Sequence, residues 1–139
     1  MMERRDRLFE VIENLLRAKN ECSCKIFSDC GLSDMTVKQV SYLKTIDEQG
    51  EVTFSRLAEI TRNSKPTITE MINKFERMNC VYRERSNDDR RFLYIRLTAK
   101  GKKIAKVEHD ALRQVIERMI SSLDESEQDL LIGLLKKIR

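Results

Sequence analysis

Apolar residues recur at three- and four-residue steps through most of this chain and give way to β-rich runs in one region only. Leu8, Ile12, Leu15, Leu16, Cys22 and Ile26, with Lys19 between them, predict a long first helix over residues 3–28. It ends around Asp29-Cys30-Gly31, where glycine can take the left-handed C-terminal position. Thr36-x-x-Gln39 has the form of a capping box, with Val37, Val40, Leu43 and Ile46 behind it, and this second helix stops at Gly50. Glu51-Val52-Thr53 reads as a very short strand that pairs later with a ribbon. Thr53 then caps a brief helix that turns Leu57, Ala58 and Ile60 inward.

Thr61-Arg62-Asn63 is the next turn, and Ser64 is a good N-cap for the helix that follows. Pro66 sits in its first turn, where a missing N–H costs nothing. Ile68, Met71, Ile72, Phe75 and Met78 form its buried stripe, and Asn79, tolerant of left-handed backbone, ends it. Residues 80–85 and 92–97 are β-rich, separated by the polar loop Ser86 to Arg91. After Thr98 a long helix carries Ile104, Val107, Ala111, Leu112, Val115, Ile116, Met119 and Ile120. Asp124-x-x-Glu127 caps a last helix with Leu130, Leu131, Leu134, Leu135 and Ile138. The fold class is therefore mainly α with a small β-ribbon: about six helices and two to three short strands.

The 139 residues fit one domain, large enough for a core without disulfides or metal. Four glycines, one proline and 36% charged residues are the profile of a helix-rich chain. No apolar run approaches the ~18–20 residues that span a membrane, and the N-terminus leads into an amphipathic pattern, so the expectation is a cytoplasmic protein without a membrane partner. The net charge of +4 is less telling than its location. Residues 62–103 hold twelve Lys and Arg against five Asp and Glu, hence +7, which leaves −3 for the remainder. Positive charge concentrated on one segment suits counterion release at nucleic-acid phosphates; a solvated basic face is the plainer alternative.

That segment is a helix-turn-helix followed by a β-ribbon. Opposite the buried stripe, its second helix offers Ser64, Lys65, Thr67, Thr69, Glu70, Lys74 and Arg77. Short hydroxyl side chains near a helix N-terminus approach bases and phosphates closely, and the backbone N–H groups there favour an anion. Lys65 suits guanine or a phosphate, Glu70 the cytosine amino group, and Lys74 and Arg77 phosphates. A surface helix that is merely polar outside has the same periodicity; the neighbouring ribbon tips the balance. Its tip carries Asp89, Arg90 and Arg91, and a basic side chain there can enter a narrow minor groove with Asp89 orienting Arg91. An exposed Asp–Arg pair of little energetic weight is the alternative.

At this point the sequence resembles the multiple antibiotic resistance regulator (MarR) family of winged helix-turn-helix proteins. The resemblance rests on Ser64-Lys65-x-Thr67-Ile68-Thr69, Phe75-Glu76-Arg77-x-x-x-Val81, Asp89-Arg90-Arg91 and Leu97-Thr98-x-x-Gly101, and is specific over residues 52–101. It implies that Arg91 is the wing-tip minor-groove residue with Asp89 as its support. Ser64, Lys65, Thr67, Thr69 and Lys74 fall at recognition-helix positions. Glu70 stands where basic or polar residues are common in the family, Asn79 replaces a common Gly, and Cys80 a common Leu.

On this reading residues 1–139 are a single domain, with 34–101 the DNA-reading unit and 1–30 and 104–139 dimerisation helices. The first and last helices have more apolar positions than one small module can cover, which predicts a two-fold homodimer on palindromic double-stranded DNA. The function expected is a sequence-specific transcription regulator, a repressor released by an effector; the resemblance implies a small anionic or aromatic one. Cys22, Cys24 and Cys30 cluster near the first helix junction. They are candidates for a redox or effector site, with a metal or iron–sulfur cluster as a lesser alternative and small semi-buried residues as the plain one. A winged-helix module that binds proteins instead of DNA is the remaining alternative. No cofactor is required. An enzyme is the least expected class, because the chain has no glycine-rich phosphate loop, no spaced Ser/His/Asp or Cys/His set, and one solitary histidine, His109.

Overall fold

A computed structural model describes residues 1–32 and 35–138; residues 34 and 139, where two of the expected ranges begin and end, lie outside them. The elements run α1 (Arg4–Asp29), α2 (Val37–Gln49), β1 (Val52–Thr53), α3 (Phe54–Thr61), α4 (Lys65–Arg77), β2 (Val81–Arg85), β3 (Leu93–Leu97), α5 (Ala99–Ala105), α6 (Val107–Ser122) and α7 (Glu125–Lys136). Among the described residues there are thus seven helices and three strands, and the long helix expected after Thr98 is two. Lys106 breaks it, with φ −100° and ψ 6°. Periodicity cannot see this break, because Ile104, Val107 and Ala111 keep three- and four-residue steps across it.

The chain falls into two compact units, Ile26–Val107 and Met1–Lys25 with Glu108–Arg139. The first holds the principal core. Leu43 and Ile46 of α2, Leu57 of α3, Ile68, Ile72 and Phe75 of α4, Ile95 of β3 and Ile104 of α5 are all fully buried there. Met71 and Met78 complete the α4 stripe as partly buried neighbours of this core. The strands form one antiparallel sheet in the order β1-β3-β2, with Val52 opposite Ile95 and Val81 opposite Leu97. Arg96 on β3 ties the three strands together, reaching Glu51 Oε2 at 2.5 Å and lying 3.1 Å from Glu84 Oε2.

Local chemistry sets the helix ends. Thr36 and Gln39 form the expected capping box, Thr53 accepts from Arg56 N–H, and Asp124 and Glu127 repeat the box on α7. Three helices end alike. Leu32, Asn63 and Cys80 each donate N–H to the carbonyl five residues back, around a left-handed Gly31, Arg62 and Asn79 respectively. Asn79 was expected at that position; Arg62 was not.

The Thr98-x-x-Gly101 motif has a structural role. Thr98 Oγ1 donates to Asn79 O at 2.7 Å and Thr98 N to Cys80 O at 3.0 Å, while Gly101 N donates to Thr98 Oγ1. The first turn of α5 is thereby pressed onto the end of α4. A Cβ on Gly101 would stand 2.0 Å from Cys80 O, a clash with backbone that no rotamer relieves.

In the other unit, Cys22, Ala111 and Val115 are buried, and Lys19 pairs with Glu108. Leu8, Ile12 and Leu16 of α1, Leu112, Ile116 and Ile120 of α6, and Leu130, Leu134 and Leu135 of α7 are exposed. Among the described residues no helix is long and apolar enough to cross a membrane.

Gly101→Ala is expected to cost about 3 kcal/mol of stability by overpacking against backbone, read from urea unfolding. A loss below about 0.5 kcal/mol, the size of an ordinary surface substitution, would show that α5 does not approach Cys80 this closely.

Candidate nucleic-acid interface

Once Ile68, Ile72 and Phe75 are buried, the helical period leaves the opposite face of α4 in solvent. Ser64, Lys65, Thr67, Thr69, Glu70, Lys74 and Arg77 are all exposed on it, so the seven candidate residues of this helix share one accessible surface. Their hydroxyls are not all equivalent. Ser64 Oγ accepts from Thr67 N–H at 3.3 Å and lies 2.8 Å from Thr67 Oγ1, while Thr69 Oγ1 donates to Lys65 O at 3.0 Å. With its proton used inside the helix, Thr69 presents acceptor lone pairs and a methyl group outward, a combination suited to base edges more than to phosphate.

The orientation of α4 is braced from the sheet by a residue that sequence reasoning left out. Arg83 on β2 donates from Nε to Glu76 Oε1 at 2.5 Å and from Nη2 to Asn73 Oδ1, and its guanidinium carbon lies 5.0 Å from the centre of the Phe54 ring. Asn73, which the periodicity puts on the polar face, is therefore engaged by the wing strand. A one-dimensional pattern offers no signal for this clamp, because its members are seven and ten residues apart on different elements.

The loop between β2 and β3 is held by its own polar groups. Ser86 N–H donates to Phe92 O, Asp89 N–H to Ser86 Oγ, and Arg85 to the carbonyl of Arg90. At the tip Asp89 accepts Arg91 Nε at 3.0 and 3.1 Å and Nη2 at 2.7 Å, as well as the Arg91 backbone N–H at 3.0 Å. The Arg91 side chain is nonetheless 87% exposed. The carboxylate aims the guanidinium without covering it, and Arg90 beside it is also exposed. The Arg91 hydrogen bonds hold the Asp89 carboxyl below its ordinary value of 3.8.

The candidate cysteines fall in different settings. Cys22 is buried with Sγ 3.8 Å from Arg118 Nη2, Cys24 is exposed on the same unbroken helix, and Cys30 belongs to the other unit, partly buried against its core. Residues two apart on a helix point about 200° from one another, which explains the first contrast. Among the described residues no three His, Cys, Asp or Glu side chains could hold a metal ion. Cys80 is packed in the core, and burial pushes its thiol up from the ordinary value.

Comparison with known proteins agrees with this geometry. Residues 35–92, from the start of α2 to the wing, match the MarR family. Over that stretch the chain is similar to a family of transcriptional regulators. Among its relatives, the transcriptional regulator HosA of Escherichia coli O157:H7 is 29% identical over 107 residues, 77% of this chain and 79% of HosA. The uncharacterized HTH-type regulator YkoM of Bacillus subtilis is 29% identical over 138 residues, 98% of this chain and 86% of YkoM. Two S. aureus MepR structures share the fold. The ethidium-bound form has a TM-score of 0.72 at 19% identity, covering 99% of this chain and 94% of MepR; the DNA complex has 0.68 at 22%, covering 95% of each.

The carboxyl of Asp89 should titrate below its ordinary value and return towards it in Arg91→Ala, as followed by carboxyl carbon shifts in NMR. Because the folded value is the depressed one, the pair is intact at neutral and mildly acidic pH. Its contribution is lost only as pH falls through the folded value, below about 3.9. An unshifted Asp89 in the parent protein would show that the pair does not form in solution.

Proposed function

We propose that this chain is a MarR-type regulator that binds duplex DNA in a sequence-specific way, with the N-terminal half of α4 in the major groove and the wing in the adjacent minor groove. The observation that carries the reading is the Arg91 guanidinium, exposed at the hairpin tip yet aimed by Asp89 in the unit that presents the polar face of α4. On this assignment Ser64, Lys65, Thr67, Thr69 and Glu70 face bases and nearby phosphates. Lys74, Arg77 and Arg90 supply backbone charge, and Asp89 supports Arg91. The DNA complex of MepR, which shares the fold, supports DNA as the partner.

Residues 34–101 then form the reading unit, and residues 1–30 and 104–139 pair two chains as a homodimer. The exposed leucines and isoleucines of α1, α6 and α7 support that pairing, since a lone soluble chain rarely leaves so much apolar surface to water. Two-fold pairing implies a palindromic operator with half-sites about one helical turn (~34 Å) apart. A repressor released by a small ligand fits this arrangement: the ligand has only to prefer the dimer whose recognition helices are wrongly spaced. MepR with ethidium supports an aromatic compound as one class of effector. The relatives named above are bacterial, which supports a cytoplasmic site of action.

Selection of genomic fragments with the purified protein should return a palindrome with that spacing. Arg91→Ala should bind it at least about tenfold more weakly and with a shallower salt dependence. Parent protein that prefers no duplex over a random one would leave the protein-binding alternative in its place.

A second reading, oxidation as the input, is favoured by Cys22, whose sulfur is buried beside the Arg118 guanidinium. Peroxide would oxidise the thiolate to a sulfenate with release of water, and the guanidinium would then hold the new anion. Mild peroxide should in that case remove one reactive thiol from the parent and none from Cys22→Ser, and weaken DNA binding only in the parent.

A further inference from the structure

The first turn of α2 faces the polar side of α4 across an open cavity of about 380 Å³. Lys38 lines it from α2, Lys74 and Arg77 from α4, and Tyr42 and Met71 contribute apolar surface. We propose that this cavity seats a phosphodiester of the DNA strand flanking the groove that α4 enters, with Lys38 as the charged contact from α2. The inference rests on the DNA-reading function proposed above and adds a contact outside the helix-turn-helix and the wing.

Charge supports it first. Three cations face one carboxylate, Glu70, so the cavity carries +2. None of the three is ion-paired among the described residues, in contrast to Arg83, Arg91 and Arg96. Exposed like charges held together repel one another unless an anion enters between them.

Shape supports it independently. A helix with its side chains is about 10–12 Å across and the major groove about 12 Å wide, so the sugar-phosphate backbone must run close along both flanks of α4. Lys74 and Arg77, three residues apart, mark one flank, and that flank opens into this cavity. The strand passing there meets the first turn of α2. Its capping box takes up the N–H groups of Thr36 and Gln39, and among the described residues those of Val37 and Lys38, the two helical positions between, meet no acceptor.

The lysine is also placed. Its Nζ lies 6.0 Å from the Tyr42 ring centre, and Tyr42 is fixed by accepting a 2.9 Å hydrogen bond from Asn63 in the turn before α4. Accepting that bond leaves the phenolic proton free to donate. Lys38 is thus held at the cavity wall by a residue tied to the helix-turn-helix itself.

The test is the salt dependence of binding for full-length parent, Lys38→Gln and Lys44→Gln, on the duplex recovered by selection and on a random duplex of equal length. Lys44 is exposed on the same helix but does not line the cavity. Loss of one phosphate contact lowers the log–log slope by about 0.9 per chain and about 1.8 for the dimer, so between about 50 and 200 mM salt Lys38→Gln should lose about 12-fold less affinity than the parent. The preference for the selected duplex should be unchanged, and Lys44→Gln should match the parent.

Several results would overturn the proposal. A parental slope in Lys38→Gln, with Arg91→Ala still weakened, removes the seat and leaves the DNA-reading function standing. Equal effects in Lys38→Gln and Lys44→Gln reduce it to bulk charge, and a lost preference makes Lys38 a base reader. Calorimetric binding of inorganic phosphate that Lys38→Gln abolishes, with no change in slope, assigns the cavity to a free anion. A parent protein that binds no duplex takes the function and the seat together.

Discussion

The burial of Ile68, Ile72 and Phe75 is the constraint on which the reading surface depends. Each is fully buried, and together they occupy one face of a helix only 13 residues long. With that face committed, the rotation of α4 about its own axis is fixed, and with it the direction of every exposed side chain. The apolar energy involved, about 1.5–3 kcal/mol per fully buried large side chain, far exceeds what any exposed polar contact on α4 supplies. The polar face can therefore vary in chemistry without the helix turning. Glu70 stands there at little structural cost, where it changes only what the surface can recognise.

Rotation alone does not fix the tilt of a helix, and two further contacts act on α4. At its end, Thr98 and the absent side chain of Gly101 press the start of α5 onto the carbonyls of Asn79 and Cys80. Along its length, Arg83 links Asn73 and Glu76 to the strand that carries the wing. The second contact couples the two candidate reading elements directly. A helix and hairpin that are to enter successive grooves must keep their relative position, and the three-stranded sheet, closed by Arg96 with Glu51 and Glu84, gives that hairpin a fixed base.

Much of this was legible in the sequence, for a physical reason. Ser64, the box of Thr36 with Gln39, Asn79 and the stripe on α4 are short-range signals whose chemistry acts within one helical turn. They predict the elements almost residue by residue. The misses are of another kind. Arg62 takes the left-handed position because the packing of α3 on α4 requires a tight turn there, with Asn63 committed to Tyr42. The break at Lys106 is invisible because the apolar steps continue through it. Arg83 and Lys38 read as ordinary surface cations until the fold brings Asn73 and Glu76 to one and the cavity to the other. Of the candidate site, the residues on α4 and at the wing tip were legible as a set because each group is contiguous in sequence. Cys22 and Cys24 were contiguous too, yet they separate, since two such positions on a helix point apart.

Net charge is the point at which sequence and structure diverge most usefully. The +7 between residues 62 and 103 treats every cation alike, but the fold divides them. Arg83 is engaged by Glu76 and Asn73, Arg96 by Glu51 and Glu84, and Arg85 by a loop carbonyl, so these stabilise the sheet and the wing. A guanidinium already matched to a carboxylate has little to gain from a phosphate, because the attraction would have to replace one that exists. Arg91 is the exception that its exposure permits: Asp89 takes one edge of the guanidinium and leaves the rest to a partner. The cations left without a carboxylate among the described residues, Lys65, Lys74, Arg77 and Arg90 among them, are the ones able to release counterions, and Lys38 joins them from outside the basic segment. The electrostatic footprint is thus smaller than the charge count and displaced from it, because ion pairing within the fold, more than composition, decides which charges remain for an outside anion.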